Sequence, residues 1–121
     1  MPNFLPASID YADLPLLTEL QRRRTCRSSL LGWCTEALLP IGQAPAAHHR
    51  LLIEELEKVT RGETQRLMIN MPPGSAKSTY ASVLFPAWAF AQREGFDIIG
   101  ASNTARMAEG FSRKAMGTAR R

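Results

Sequence analysis

Three consecutive residues, Pro72-Pro73-Gly74, can continue neither a strand nor a helix, so they divide whatever lies on either side of them. Ahead of them, Leu67-Met68-Ile69-Asn70-Met71 is a short apolar run between turn signals, which predicts a buried strand. Behind them, Tyr80, Val83, Leu84, Ala87, Trp88 and Ala91 recur at i, i+3 and i+4, which predicts a helix. Pro86 falls inside that helix and offers no N–H to the carbonyl of Ser82, so a kink is expected there. Gly95 ends the helix, and Phe96-Asp97-Ile98-Ile99-Gly100-Ala101 predicts a second buried strand. Ser102-Asn103-Thr104 then caps a last helix with Met107, Ala108, Phe111 and Ala115 facing inward. Strand, helix and strand within about thirty residues is the size of a right-handed βαβ unit. The fold class expected is therefore α/β: an incomplete βαβα core with parallel strands over residues 66–121, preceded by a helical lead-in over residues 1–65.

The lead-in carries helical periods throughout. Asp13-Leu14-Pro15 reads as a helix start, and Leu16, Leu17 and Leu20 share a face. Arg22-Arg23-Arg24 and Arg27 form a basic cluster that either meets phosphates or, with Glu19 beside it, is a solvated helix face, the commoner fate of charge runs. Leu30, Leu31, Cys34 and Leu38 continue at helical spacing until Pro40, Gly42 and Pro45 close the segment. A compact amphipathic helix follows over 46–60. Its apolar stripe is Leu51, Leu52, Leu56 and Val59, while Glu54, Glu55, Glu57 and Lys58 face water. Cys26 and Cys34, the only cysteines, have no neighbour at metal-ligand spacing and read as packing residues.

Hydrophobic residues make up 45% of the 121-residue chain and charged residues 21%, ordinary globular values that exclude disorder along its whole length. No apolar run approaches the roughly 20 residues needed to cross a bilayer, and the start Met1-Pro2-Asn3-Phe4-Leu5-Pro6 lacks a secretory signal, so a cytosolic location is expected. The net charge of +4 lies wholly in the second half. Residues 1–66 hold 8 basic and 8 acidic side chains, whereas residues 67–121 hold 7 basic and 3 acidic. The excess favours an anionic partner by Coulomb attraction but is too small to select one.

The chemistry is concentrated in Pro73, Gly74, Ser75, Ala76, Lys77, Ser78 and Thr79, between the expected strand and the start of the helix. A helix start offers unpaired N–H groups and the positive end of the helix dipole, which together stabilise polyphosphate. Gly74 allows close backbone approach, Lys77 can set its ammonium against β- and γ-phosphates, and Ser78 can give its hydroxyl to Mg²⁺. Against the standard G-x-x-x-x-G-K-[ST] pattern only the Lys-Ser pair fits. Met71 and Ala76 stand at the two glycine positions, and positive φ at Ala76 would cost on the order of 1 kcal/mol relative to glycine. A Pro-Gly turn followed by a helix-start lysine is the plain alternative.

The stretch from Arg66 to Thr79 resembles the Walker A region of large terminase subunits from tailed phages, which often carry a Pro-Pro-rich loop ahead of Lys-Ser. Phe85-Pro86-Ala87-Trp88, Ile98-Ile99-Gly100-Ala101-Ser102-Asn103-Thr104 and the upstream His48-His49-Arg50-Leu51-Leu52 are similar to that family in the same order. The resemblance implies a P-loop ATPase that uses ATP and Mg²⁺, with Lys77 catalytic and Ser78 on the metal. It implies double-stranded DNA, a small terminase subunit and a portal as partners, oligomers in the full-length form only, and the bacterial host cytoplasm as location. The family's Walker B carboxylates and nuclease acids have no counterpart in this sequence, so the resemblance covers the N-terminal part of the ATPase domain, and turnover is not expected from these residues alone.

Two other classes compete. A small kinase would need a lid arginine cluster and a carboxylate on a later strand, and neither occurs. A non-catalytic remnant or small nucleotide-binding protein would keep the loop without chemistry. His48 and His49 either contact base or ribose or are ordinary residues of a helix start. Arg113-Lys114 and Arg120-Arg121 either touch DNA phosphates or are a solvated helix end.

Overall fold

The computed structural model describes residues 14–119, and every regular element among them is helical. In chain order these are α1 (Leu14–Ser28), α2 (Leu30–Leu38), a 3₁₀ turn (Leu39–Ile41), α3 (Ala47–Thr60), a π-helical segment (Thr79–Leu84), α4 (Phe85–Gln92) and α5 (Ala105–Ala119).

The expected α/β fold class, a partial P-loop core of parallel strands, does not hold. Neither 67–71 nor 96–101 forms a strand, and no sheet occurs among the described residues. The physical reason is partnership. A strand exists through its neighbour's N–H and C=O groups, and a parallel pair with two open edges and little cover is a poor solution. Residues 67–71 instead find their cover through side chains. Leu67, Ile69 and Met71 pack on the helical core while Met68 is 84% exposed, the two-residue alternation of an extended chain. The second run is not covered at all on one side, for Ile99 is 95% exposed.

The core joins α2, α3, the π segment and α4: Leu30, Cys34, Leu38, Leu52, Ile53, Leu56, Tyr80, Leu84 and Trp88 form one cluster. It therefore draws on residues before and after position 65. Leu30, Cys34 and Leu38 lie at i, i+4 and i+8 on one helix face, as their spacing predicts. The stripe of α3 is rotated from expectation. Ile53 is buried with Leu52 and Leu56, whereas Leu51 is exposed and Val59 half-buried. Glu57 does not simply face water, because its carboxylate accepts the N–H of Leu30 at 2.7 Å and so caps the start of α2, where negative charge is favoured. Leu16, Leu17 and Leu20 of α1 lie outside the core and are exposed. The cap expected from Asp13 falls outside the described residues.

Close packing of α1 on α2 rests on Gly32, since a Cβ there would lie 2.9 Å from the carbonyl oxygen of Thr25. Ser29 turns the corner in extended conformation and its hydroxyl accepts from the Gly32 N–H. The last carbonyls of α1 find donors on α4: Trp88 Nε1–H donates to Cys26 O at 3.1 Å, and Gln92 Nε2–H to Arg27 O at 2.8 Å. Half of the basic cluster of α1 is paired, Arg22 and Arg23 both with Glu19 and Arg22 also with Glu36.

Pro86 acts on the helix as its chemistry requires, with one added feature. The turn before it widens to a π-helix, in which Phe85 N–H reaches the carbonyl of Tyr80 five residues back. The extra residue in that turn rotates the face that α4 presents to the core, so Ala89 is buried in place of the expected Ala91, which is exposed. Thr104 caps α5 through its hydroxyl, which accepts the Met107 N–H. Of the residues expected inward on α5, Ala115 is buried, Ala108 and Phe111 are half-buried, and Met107 is exposed. No helix among the described residues is long and apolar enough to cross a membrane.

Cys34 supplies a test of this core. It is a free thiol, 1% exposed, and burial pushes its pKa from 9.0 up to about 12. The folded chain thus holds this proton more tightly than the unfolded chain. The contribution is fully present below pH 9 and is lost as pH rises from 9 toward 12, at a slope of about 1.4 kcal/mol per pH unit. Urea unfolding at pH 8 and pH 10.5 should show a fall in stability for the native chain that is smaller in Cys34→Ala. Equal falls in both would refute the assignment.

Candidate phosphate-binding loop

The backbone of residues 72–78 changes hand repeatedly. Ser75 N–H donates to Pro72 O at 3.3 Å to close a turn, Gly74 stands at φ +81°, and Ala76 stands at φ +60°. Ser75 between them is not in the positive-φ region. Tight turns with left-handed residues are the kind of backbone in which anion-binding nests of N–H groups form. Ala76 is the only described residue other than glycine at positive φ. That conformation costs about 1 kcal/mol for a residue with a Cβ.

The helix starts immediately afterwards. Tyr80 N–H donates to Ala76 O, Ser78 has helical angles, and Lys77 and Ser78 occupy the first turn. The N–H groups of Gly74, Ala76, Lys77, Ser78 and Thr79 have no acceptor among the described residues. Five unspent donors at a helix start favour a ligand rich in oxygen and negative charge. Lys77 is half-buried and makes no ion pair with any described residue, while the Ser78 side chain is exposed. Pro73 and Gly74 are exposed at the tip, and Thr79 is half-buried as the first residue of the π segment. All seven sequence-predicted residues, 73–79, therefore lie in one loop and helix start. The strand expected to lead into them is missing, and Met71 enters from a core-packed but unpaired chain.

Spacing alone could not reveal the role of His49. Its Nδ1 accepts the Ala46 N–H at 3.1 Å, and its Nε2 lies 2.7 Å from the carbonyl oxygen of Ser75. Its ring stacks on Tyr80 with centroids 4.4 Å apart and planes 26° from parallel. The contact with Ala46 is half of a capping box, since alanine has no side-chain acceptor to return the bond. A hydrogen bond of this type is worth about 0.5–1.5 kcal/mol, enough to offset the strain at Ala76. Ser75 Oγ is buried beneath the loop with no partner among the described residues. His48 is exposed and touches only the edge of this arrangement, its ring tilted 3.9 Å from that of His49.

Comparison with protein families, curated proteins and solved structures gave no match. The loop's chemistry therefore rests on its own geometry. No group of three or more His, Cys, Asp or Glu side chains is gathered to hold a metal among the described residues. Magnesium at this loop would take one protein oxygen from Ser78 and the remainder from phosphate and water, a ligand set Mg²⁺ commonly accepts. Arg113 pairs with Glu109 on the exposed face of α5, away from the loop's sequence neighbourhood. Arg120 and Arg121 lie outside the described residues.

Proposed function

We propose that residues 73–79 bind the polyphosphate of ATP with Mg²⁺, and that the chain is the ATP-binding part of a phage or prophage terminase large subunit. On this reading its partners are double-stranded DNA, a small terminase subunit and a portal. The observation that carries the phosphate reading is the set of five unspent N–H groups between Gly74 and Thr79, beside the unpaired Lys77. The terminase reading adds the run of residues from Arg66 to Thr79 and the order of its flanking segments.

The division of labour comes from the chemistry of each group. Backbone donors fix the phosphate oxygens without a side chain having to be ordered, so little entropy is lost on binding. Lys77 adds a full positive charge where the helix supplies a partial one. Ser78 offers an oxygen to the metal that bridges the phosphates. Residues 73–79 include no carboxylate of their own to orient an attacking water, so the activity proposed for these seven residues is binding.

Calorimetric titration with pyrophosphate, ATP and adenosine tests this directly. Pyrophosphate is expected to bind and to displace ATP, adenosine to give no heat, and added salt to weaken both phosphate ligands. Adenosine binding without pyrophosphate binding would remove the phosphate reading.

A further inference from the structure

We propose that His49 is the positioning residue of this loop: through its Nε2–H bond to the Ser75 carbonyl it aims the Ala76 N–H at the phosphate. The proposal rests on the phosphate reading of residues 73–79 and adds to it a residue from a different helix, 26 positions upstream.

Three observations converge. First, the two ring nitrogens are committed in one tautomer. Nδ1 accepts a backbone N–H from Ala46, so the proton of the neutral ring sits on Nε2 and points at Ser75 O, 2.7 Å away. Second, the ring cannot easily swing, because it stacks on Tyr80, itself 3% exposed and part of the core. Third, the peptide joining Ser75 to Ala76 is planar, with its C=O and N–H pointing in opposite directions. A side chain that draws the Ser75 carbonyl toward α3 therefore turns the Ala76 N–H the other way. Ala76 at φ +60° is the backbone's response to that pull. The placement of α3 thereby sets the direction of a donor in the loop.

Two substitutions separate the loop contact from the helix cap. In His49→Asn the short amide can still accept the Ala46 N–H but cannot reach Ser75. In His49→Gln the longer amide places an N–H donor near the position of Nε2. The readouts are the pyrophosphate dissociation constant and the hydrogen-exchange rate of the Ser75 and Tyr80 amides, which donate to Pro72 O and Ala76 O on either side of the peptide that His49 holds. His49→Asn is expected to weaken pyrophosphate about tenfold and to speed exchange by a similar factor, the effect of one lost hydrogen bond. His49→Gln is expected to recover most of both. Native-like binding and exchange in His49→Asn would overturn the proposal, as would a glutamine variant no better than asparagine. A native chain that ignores pyrophosphate would overturn the phosphate reading instead, and the exchange rates alone would then decide whether His49 holds the loop.

Discussion

Trp88→Ala is expected to lower the unfolding free energy by about 3–5 kcal/mol, the range for losing a buried Trp. For a domain held by roughly 5–15 kcal/mol that is a large fraction of all its stability. Two effects add at this position. The indole projects from α4 into the core cluster and is only 7% exposed, so truncation leaves a void that close-packed neighbours cannot fully close. Its Nε1–H also satisfies Cys26 O near the end of α1, a carbonyl with no helical donor of its own to replace it. Trp88→Phe keeps much of the volume and loses the bond, so it should fall between the native chain and the alanine variant. Urea denaturation followed by far-ultraviolet circular dichroism measures all three. Equal stability of Trp88→Ala and the native chain would mean that this cluster does not hold the fold together.

How much of this could be read from the residues depends on the distance over which each force acts. Local periods reveal the helices well, because Leu30, Cys34 and Leu38 on α2 need only their own spacing to share a face. The π segment is half legible. Pro86 removes a donor wherever it stands in a helix, but whether the chain kinks or widens depends on how Tyr80 and Leu84 are packed. The expected sheet fails because apolar runs such as 67–71 and 96–101 announce burial or extension and say nothing of a partner. Partnership is a long-range property. The same holds at the loop. Gly74 and the Lys77-Ser78 pair advertise a turn and a helix start through their own chemistry, whereas the bond from His49 spans 26 residues and leaves no periodic trace. A histidine three residues after Ala46 hints only at the cap, the local half of what it does.

Lys77→Ala is expected to weaken pyrophosphate and ATP by about 10- to 100-fold while leaving the fold intact, the size of a lost charge-assisted contact. The separation of the two effects arises from where Lys77 stands. It is half-buried in the first turn of a helix and has no ion pair among the described residues, so its removal breaks no salt bridge that holds the chain together. Alanine is also the best helix former, so stability should change by less than about 0.5 kcal/mol. The electrostatic origin gives a second signature. Raising ionic strength screens a charge that reaches solvent, so the gap between native and variant affinities should narrow as salt is added. Lys77→Arg should bind with intermediate strength, because it keeps the charge but replaces a compact ammonium with a broad planar fork. Calorimetric titration at two salt concentrations measures these differences, and thermal unfolding of the same samples guards against misfolding. A well-folded Lys77→Ala chain with native affinity at low salt would show that phosphate does not sit against this helix start.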